Sequence, residues 1–508
     1  MHDEIELKLS LTADNAVRLF RLPLLRALAT GRARSRQLVT TYYDTPNQAL
    51  RRKGMALRVR RDGKRLQQTL KLPIGIDGSA RHFREYDSDI DRAHPDVGRI
   101  DRKLVGSMFA GAGARSLKPV FTSDFERRIL PIRIGDTEIE VALDVGELRA
   151  GRRRVPICEA ELELISGSPA RLYELALAMQ ANLPLRIERR TKAARGYGLR
   201  NRGRGRPAVE KWEAAQLAPS QSVREVFPLL ARSCIAHVLT NVPVVLESRD
   251  PAGVHQVRVG LRRLRTLMRA FRPYLSPQVL AHVNAERRWL QRHLGPAREW
   301  DVFIAETLDP ALAHVTDRTE ARAVRRLALT LRNAAYAEAR ATLQDTRLTD
   351  FVLRLEAWLD SGEWSNATAE ALYRPILELA DRALAKCYGR AEALAEHGGM
   401  LSDEEVHALR IRIKTLRYTA DFFAGLYDRE AADRLLAAAR AIQDILGRFN
   451  DAVVGQTLLA KLDSRALGRP DAARVLDQVR RHLVAATACD RDALVGAWRQ
   501  IERAGTFW

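Results

Sequence analysis

Over the first 165 residues the apolar positions recur at every second residue, in short runs at 4–9, 37–43, 55–60 and 159–164. This is the period of strands with one buried face. Asp62-Gly63 separates two such runs, and an Asp-Gly pair tolerates the positive φ of a tight hairpin, so 55–61 and 64–72 are predicted to pair antiparallel. Residues 169–181 read as a helix. The stretch RNRGRGRP at 200–207 is rich in Gly, Pro and Arg and has no period, which marks a linker. Beyond it the apolar period becomes 3.6 and the composition turns to Ala, Leu, Arg and Glu, so helices are predicted through the rest of the chain. That half repeats itself. HQVRVGLRRLRTLMRAF from His255 returns as HALRIRIKTLRYTADFF from His407, and LGPARE from Leu294 returns as LGRFND from Leu446, both 152 positions later. Two motifs sharing one offset predict a duplicated helical bundle.

Alternation puts Glu4, Glu6 and Lys8 on one face of the first strand and Ile5, Leu7 and Leu9 on the other. The same parity sets Arg58 and Arg60 against Leu57 and Val59, Thr69 and Lys71 against Leu70 and Leu72, and Glu159, Glu161 and Glu163 against Ala160, Leu162 and Leu164. A sheet with one solvated face accounts for any one of these strands. Three glutamates at successive same-face positions lie only ~7 Å apart, however, and repel unless something cationic stands between them. If the sheet closes into a barrel with its apolar faces outward under helices, all these charges meet in one lumen. Carboxylates there would suit Mg²⁺ or Mn²⁺, hard ions that prefer oxygen, while Arg and Lys would grip an extended anion.

The opening E-x-E-x-K of Glu4, Glu6 and Lys8 is followed in order by YYDTPNQALRRKGMALRVRRDG, QTLK ending at Lys71, FTSDFER ending at Arg127, EVALDVGEL around Asp144, CEAELEL at 158–164 and TKAARGYGL with Lys192. This series resembles the CYTH domain, the triphosphate tunnel metalloenzymes, over roughly residues 1–200. The resemblance implies an eight-stranded antiparallel tunnel with flanking helices that hydrolyses a terminal phosphoryl group with Mg²⁺ or Mn²⁺. It implies Glu4, Glu6, Asp144, Glu159, Glu161 and Glu163 as metal ligands, and Lys8, Arg58, Arg60, Lys71, Arg127 and Lys192 as phosphate ligands. The catalytic residues are drawn from both sets. Glu85 matches a further family carboxylate in a segment that departs from the family pattern. His82 and His94 read as surface histidines rather than bases.

Projected on a helix, His255, Arg258, Arg262, Arg265 and Arg269 share one face, beside an apolar stripe of Val257, Leu261, Leu264, Met268 and Phe271. The second copy sets His407, Arg410, Lys414 and Arg417 beside Leu409, Ile413 and Leu416. Neither basic stripe meets an acid before Asp421, so its charges have no i, i+4 partners and repel one another. An anion is the expected partner, and the arginine fork suits phosphate oxygens. H-x-x-R-x-x-x-R-R-L-R at 255–265, its degenerate copy with Thr415 in the place of Arg263, and the two Leu-Gly motifs resemble the CHAD domain, the conserved-histidine α-helical domain. The resemblance implies a non-catalytic module that binds inorganic polyphosphate through these residues, Arg263 included.

The chain is therefore expected to be an α+β multidomain protein: a β-barrel domain at 1–200, a linker at 201–217 and an all-α duplicated helical bundle at 218–508. A length of 508 residues agrees with more than one core. The net charge of +21 fits an anionic partner. Residues 1–210 carry 41 Lys and Arg against 26 Asp and Glu, and the remainder 43 against 37, so the second half is basic only by pattern. Aromatic residues make up 6% and none interleaves with the stripe from Arg258 to Arg269, which argues against single-stranded nucleic acid. The continuous apolar runs fall short of the ~18 residues of a membrane span. MHDEIELKLS has neither the basic start nor the apolar core of a secretory signal, which predicts the cytoplasm, and the CHAD resemblance implies an association with polyphosphate granules there. Cys158, Cys234, Cys387 and Cys489 have no C-x-x-C spacing and read as small buried apolar groups. Three functions stay open: a metal-dependent triphosphatase tethered to a polyphosphate binder, a non-catalytic polyphosphate-targeted scaffold, and a CYTH enzyme for another substrate such as thiamine triphosphate or a nucleotide.

Overall fold

The structure is a computed structural model and describes residues 2–74, 78–101, 117–200, 207–396, 401–465, 470–487 and 491–508. Cys489 and the first six residues of the expected linker, 201–206, lie outside them. The chain divides into two compact units, one of residues 1–210 with 239–248 and 344–364, the other of 211–238 with 249–343 and 365–508.

The first unit is built on β1 (His2–Ser10), β2 (Arg34–Asp44), β3 (Ala56–Asp62), β4 (Arg65–Pro73), β5 (Arg81–Asp89), β6 (Lys118–Ile134), β7 (Thr137–Ala150) and β8 (Arg153–Ser166). They hydrogen-bond antiparallel in the order β5-β4-β3-β2-β6-β7-β8-β1, and β1 returns to β5, so eight strands close into a barrel. A two-residue β9 (Arg186–Ile187) adds to the far end of β1. The β3–β4 hairpin is as expected, with Asp62 opposite Arg65. Its turn residues are Gly63-Lys64 rather than Asp62-Gly63, and Gly63 supplies the positive φ, +58°, that the first turn position needs.

Closure follows from which face has helices to cover it. Leu7, Leu9, Val141, Leu143, Ala160 and Leu162 point outward and are buried with Leu172, Leu175, Ala176 and Met179 of the flanking helix Ala170–Gln180. The charged parity is thereby left to the lumen. At one end the same inward parity carries Leu38, Phe125, Leu148 and Ile157, which cluster with Tyr197 of the helix Lys192–Arg200. That helix packs close: a Cβ on Gly196 would fall 2.2 Å from the Phe121 ring.

The second unit is helical and carries the repeat. Its first copy pairs Pro251–Ala270 with Pro277–Phe303, and its second pairs Asp403–Phe423 with Arg429–Arg465. Both helices of each pair begin 152 positions apart, so the offset of the motifs is the offset of the fold. Asp250 accepts from the Ala252 N–H to start the first copy, and a capping box of Ser402 and Glu405 starts the second. The predicted stripes of Val257, Leu261, Leu264, Met268 and Phe271, and of Leu409, Ile413 and Leu416, are all buried.

Although no continuous apolar run reaches a span, the helix Val223–Glu247 is long and apolar enough on average to cross a membrane. Of its most apolar window, 61% is buried inside the protein, as in a core helix. Cys234 is buried, and burial pushes its thiol up to about 12, whereas Cys158 and Cys387 are half-buried.

Candidate functional site

In these elements, α1 (Ala49–Arg52) follows β2, α2 (Lys192–Arg200) follows β9, and the helical unit supplies α3 (Pro251–Ala270), α4 (Pro277–Phe303), α5 (Ile376–Ala395), α6 (Asp403–Phe423) and α7 (Arg429–Arg465). The barrel lumen holds a cavity of about 530 Å³ lined by Glu4, Glu6, Lys8, Arg58, Arg60, Lys71, Glu85, Arg127, Glu161, Glu163 and Lys192. Asp144 and Glu159 lie buried in its wall, bonded to Lys192. Every tunnel residue singled out in the sequence is therefore brought to one enclosed place. His82 has the outward parity of β5, and His94 is exposed.

The charges form two linked groups. On one side Lys71 Nζ stands 2.7 Å from Glu4, 2.9 Å from Glu85 and 3.8 Å from Glu6, and Arg58 reaches Glu85 at 3.2 Å. On the other, Asp144, Glu159 and Glu161 bring ligand oxygens within 4.8 Å of one another. Lys192 Nζ sits among them at 2.6, 2.5 and 2.8 Å. Arg127 donates to both oxygens of Asp144 at 2.7 Å and also pairs with Glu161, while Arg195 reaches Glu159 at 2.9 Å. Lys8 joins the groups, 2.8 Å from Glu161 and 3.9 Å from Glu6.

Counter-charge is unevenly shared. Burial works to raise Glu161 and Asp144, yet Lys192 and Arg127 hold both below the usual carboxylate range. Burial outweighs Lys71 at Glu4 and, with Glu6, Glu85 and Glu163 nearby, pushes it up to about 9. Burial, with Glu140, pushes Glu163 up to about 7. The Asp144 group is thus neutralised by the chain itself, and the Glu4–Glu163 side is crowded with acid.

Three lining arginines have no carboxylate partner among the described residues. Arg60 only approaches Thr40 Oγ1 at 3.4 Å, and burial with Arg58 and Arg127 lowers it to about 10. Arg81 leaves its buried Nε without a partner. Arg51 is held by Gln48 at 2.8 Å and lies over the Tyr197 ring. Sequence reasoning passed over Arg51 and Arg81. Arg81 shares the parity of Glu85 in β5, a signal that was available; Arg51 sits on a helix of four residues, too short for a period. The YYDTPNQAL motif explains its placement: Asp44, fully buried, accepts from the Leu50 and Arg51 N–H groups and from Tyr197 Oη, tying α1 to α2.

The helical unit has its own cavity, about 960 Å³, walled by α3 and α4 of the first copy and α6 and α7 of the second. His255, Arg258, Arg262, Arg265, Arg269, His407, Arg410, Lys414 and Arg417 all line it, with Arg292, Arg298 and Arg448 in addition. Four acids, Glu299, Glu306, Asp444 and Asp451, share the wall, yet none of these arginines or Lys414 forms an ion pair among the described residues. Arg258 donates to the Gln291 carbonyl at 3.1 Å, and Gly295 of the Leu-Gly motif makes room for it: a Cβ there would lie 3.1 Å from Arg258 Nη1. Burial and like charges lower Arg258 to about 10, Lys414 to about 7 and His255 to about 4.

Arg263 corrects the expectation. It does not line the cavity but stacks 3.8 Å over Trp212 and pairs with Asp421 at 2.8 Å. One residue step turns a helix by about 100°, which carries Arg263 off the face that holds Arg262.

Residues 2–197 match the CYTH domain and residues 229–460 the CHAD domain. An inorganic triphosphatase of Haemophilus influenzae is 28% identical over 212 residues, 42% of this chain; the chain spans 59% of that protein's length. An uncharacterized protein of Mycobacterium tuberculosis is 27% identical over 83% of this chain and 81% of its own length. The crystal structure of the CHAD domain from the plant Ricinus communis is 28% identical, with a TM-score of 0.50, over 57% of this chain and 96% of that one. With the closed barrel and the duplicated helices described above, these matches make the chain a fusion of a CYTH domain and a CHAD domain.

Proposed function

We propose that this protein is a metal-dependent inorganic triphosphatase whose helical cavity binds inorganic polyphosphate. The observation that carries the reading is the lumen itself, where carboxylates and cations converge in one enclosed cavity and Arg51, Arg60 and Arg81 have no acid of their own among the described residues. Likeness to an inorganic triphosphatase supports the choice of substrate. In hydrolysis, water oxygen bonds to the terminal phosphorus as the bridging P–O bond breaks, and pyrophosphate leaves from tripolyphosphate. Positioning and charge neutralisation supply most of the rate of such a reaction. Arg60, Arg81, Arg58, Lys71 and Arg127 bind and align the phosphates, with Lys8 and Lys192 at the Glu161 side. Glu163, held near neutrality by burial, is the carboxylate suited to take the proton from the water.

The donors fit a divalent cation. They are all oxygens, and the acid-crowded Glu4 side would be relieved by positive charge. Glu4, Glu6 and Glu161 would hold it, with Asp144 and Glu159 behind them, and Mg²⁺ or Mn²⁺ would supply neutralisation of the charge developing on the phosphoryl oxygens. The helical cavity would keep polyphosphate close to the tunnel by tethering. The test is phosphate release from tripolyphosphate with Mg²⁺ or Mn²⁺. Glu6→Gln should lower it by at least about a hundredfold. No release from the parent protein, with polyphosphate still bound, would favour the scaffold.

A further inference from the structure

Three residues lead the chain into β5, and each is held from a different direction. The Gly78 carbonyl accepts from Arg189 Nη1. The Ser79 N–H donates to Glu356 Oε1 at 2.7 Å. Ala80 is fully buried in the barrel's outer core, together with Leu353 and Ala357. Glu356, Leu353 and Ala357 lie on the helix Thr346–Ser361, which falls within the CHAD match in sequence but belongs to the first unit in space. It docks on Ala170–Gln180, where Gln180 Nε2 donates to the Thr346 carbonyl at 2.9 Å.

The fit at Glu356 is close. Its side chain is 1% exposed, and a Cβ on Gly78 would fall 1.6 Å from Oε1, so glycine is what leaves the carboxylate room. A buried carboxylate is costly unless it is hydrogen-bonded, and a charge-assisted bond to a backbone N–H is among the stronger ones. Next in the chain is Arg81, which lines the tunnel. It stands at the end of the strand ladders: β1 meets β5 last at Glu6–Arg81, and the last bond from the β4 side runs from the Ile74 N–H to the His82 carbonyl at 3.1 Å. No carboxylate among the described residues holds the Arg81 guanidinium, which lies 5.7 Å from the Phe83 ring centroid. Its placement therefore follows its backbone, and the residues just before it fasten that backbone.

We propose that Glu356 is a positioning residue for the tunnel: through the Ser79 N–H it holds the start of β5 so that Arg81 meets the phosphates of the substrate. This rests on the reading of the tunnel as a triphosphatase and adds to it a residue from outside the CYTH match. A binding group displaced by about 1 Å can cost up to a hundredfold in rate.

The test is steady-state hydrolysis of tripolyphosphate by the full chain with Mg²⁺. Glu356→Ala should raise KM about tenfold and leave kcat within about twofold, because a binding group is misplaced while the reaction centre is kept. Glu356→Gln retains an acceptor for Ser79 and should keep KM within about threefold of the parent. Gly78→Ala attacks the same contact from its other end and should reproduce the rise, with little added when it is combined with Glu356→Ala. In an Arg81→Gln background Glu356→Ala should have no further effect on KM. A parental KM in Glu356→Ala, or an additive loss in the Arg81→Gln background, would overturn the assignment. So would a fall in kcat at constant KM, which is what fewer folded molecules would give. If the parent releases no phosphate, the triphosphatase reading fails by itself, and hydrogen exchange decides whether Glu356 holds β5. Glu356→Ala should then speed exchange over residues 79–85 about tenfold, and unchanged exchange there would overturn the role.

Discussion

The barrel tunnel and the helical cavity both line an enclosed space with arginine and lysine, yet they differ in counter-charge: most tunnel cations are paired, Arg51, Arg60 and Arg81 excepted, among the described residues. In the tunnel Lys8, Lys71, Lys192, Arg58 and Arg127 are each bonded to carboxylates. In the helical cavity Arg258, Arg262, Arg410, Lys414 and Arg417 have no carboxylate bond among the described residues. The difference separates two tasks. A network of matched charges holds each group in place before the ligand arrives, which is what a reaction centre needs. An unmatched cluster repels itself, so the bound anion does the stabilising, and the interaction must be sensitive to salt and protonation.

The comparison can be broken at its exception. Arg263 lies in the helical unit but is paired like a tunnel residue, so Arg263→Ala should lower unfolding stability by about 3–5 kcal/mol, the effect of leaving Asp421 without its partner and Trp212 without its stacked guanidinium. Denaturant titration measures this. A stable variant with a weakened salt dependence of polyphosphate binding would return Arg263 to the cavity set. A smaller effect sharpens the division of labour: Arg258→Gln/Arg262→Gln should cost about a hundredfold in polyphosphate affinity, while kcat for tripolyphosphate stays at the parental value. Loss of turnover in that variant would mean the two charge sets are not independent. The smallest effect is on pH. Burial, with Arg410, Arg262 and Arg417 against the single acid Asp451, holds Lys414 at about 7. Bound phosphate favours its charged form, so affinity should fall as pH rises through about 7, by less than about tenfold. His255, at about 4, stays neutral across that window. Lys414→Arg should flatten the profile, and a slope that survives the substitution would assign it elsewhere.

Much of this was legible in the chain because period-two alternation commits a whole strand at once. Once Leu7, Leu9 and Leu162 are buried outside, Glu4, Glu6, Glu161 and Glu163 have only the lumen left. The 152-residue offset likewise announced both helices of each copy. What alternation cannot express is pairing. Asp144 and Glu159 read as metal ligands by resemblance, but that Lys192 would reach them from a helix 33 residues beyond Glu159 depends on how that helix packs over Phe121. Arg287 was overlooked for a similar reason. It sits among Glu286, Arg288 and Gln291 in an ordinary-looking polar run, and its burial, with no carboxylate partner among the described residues, is visible only in three dimensions.

The bond between Arg263 and Asp421 also breaks the symmetry of the repeat. Its two ends belong to different copies, and their counterparts are Thr415 and Arg269. A homodimer of identical half-domains would form this contact twice or not at all, whereas here the reciprocal site sets a threonine against an arginine. An asymmetric contact of this kind can stand only because both halves lie in one chain, where each can change without the other.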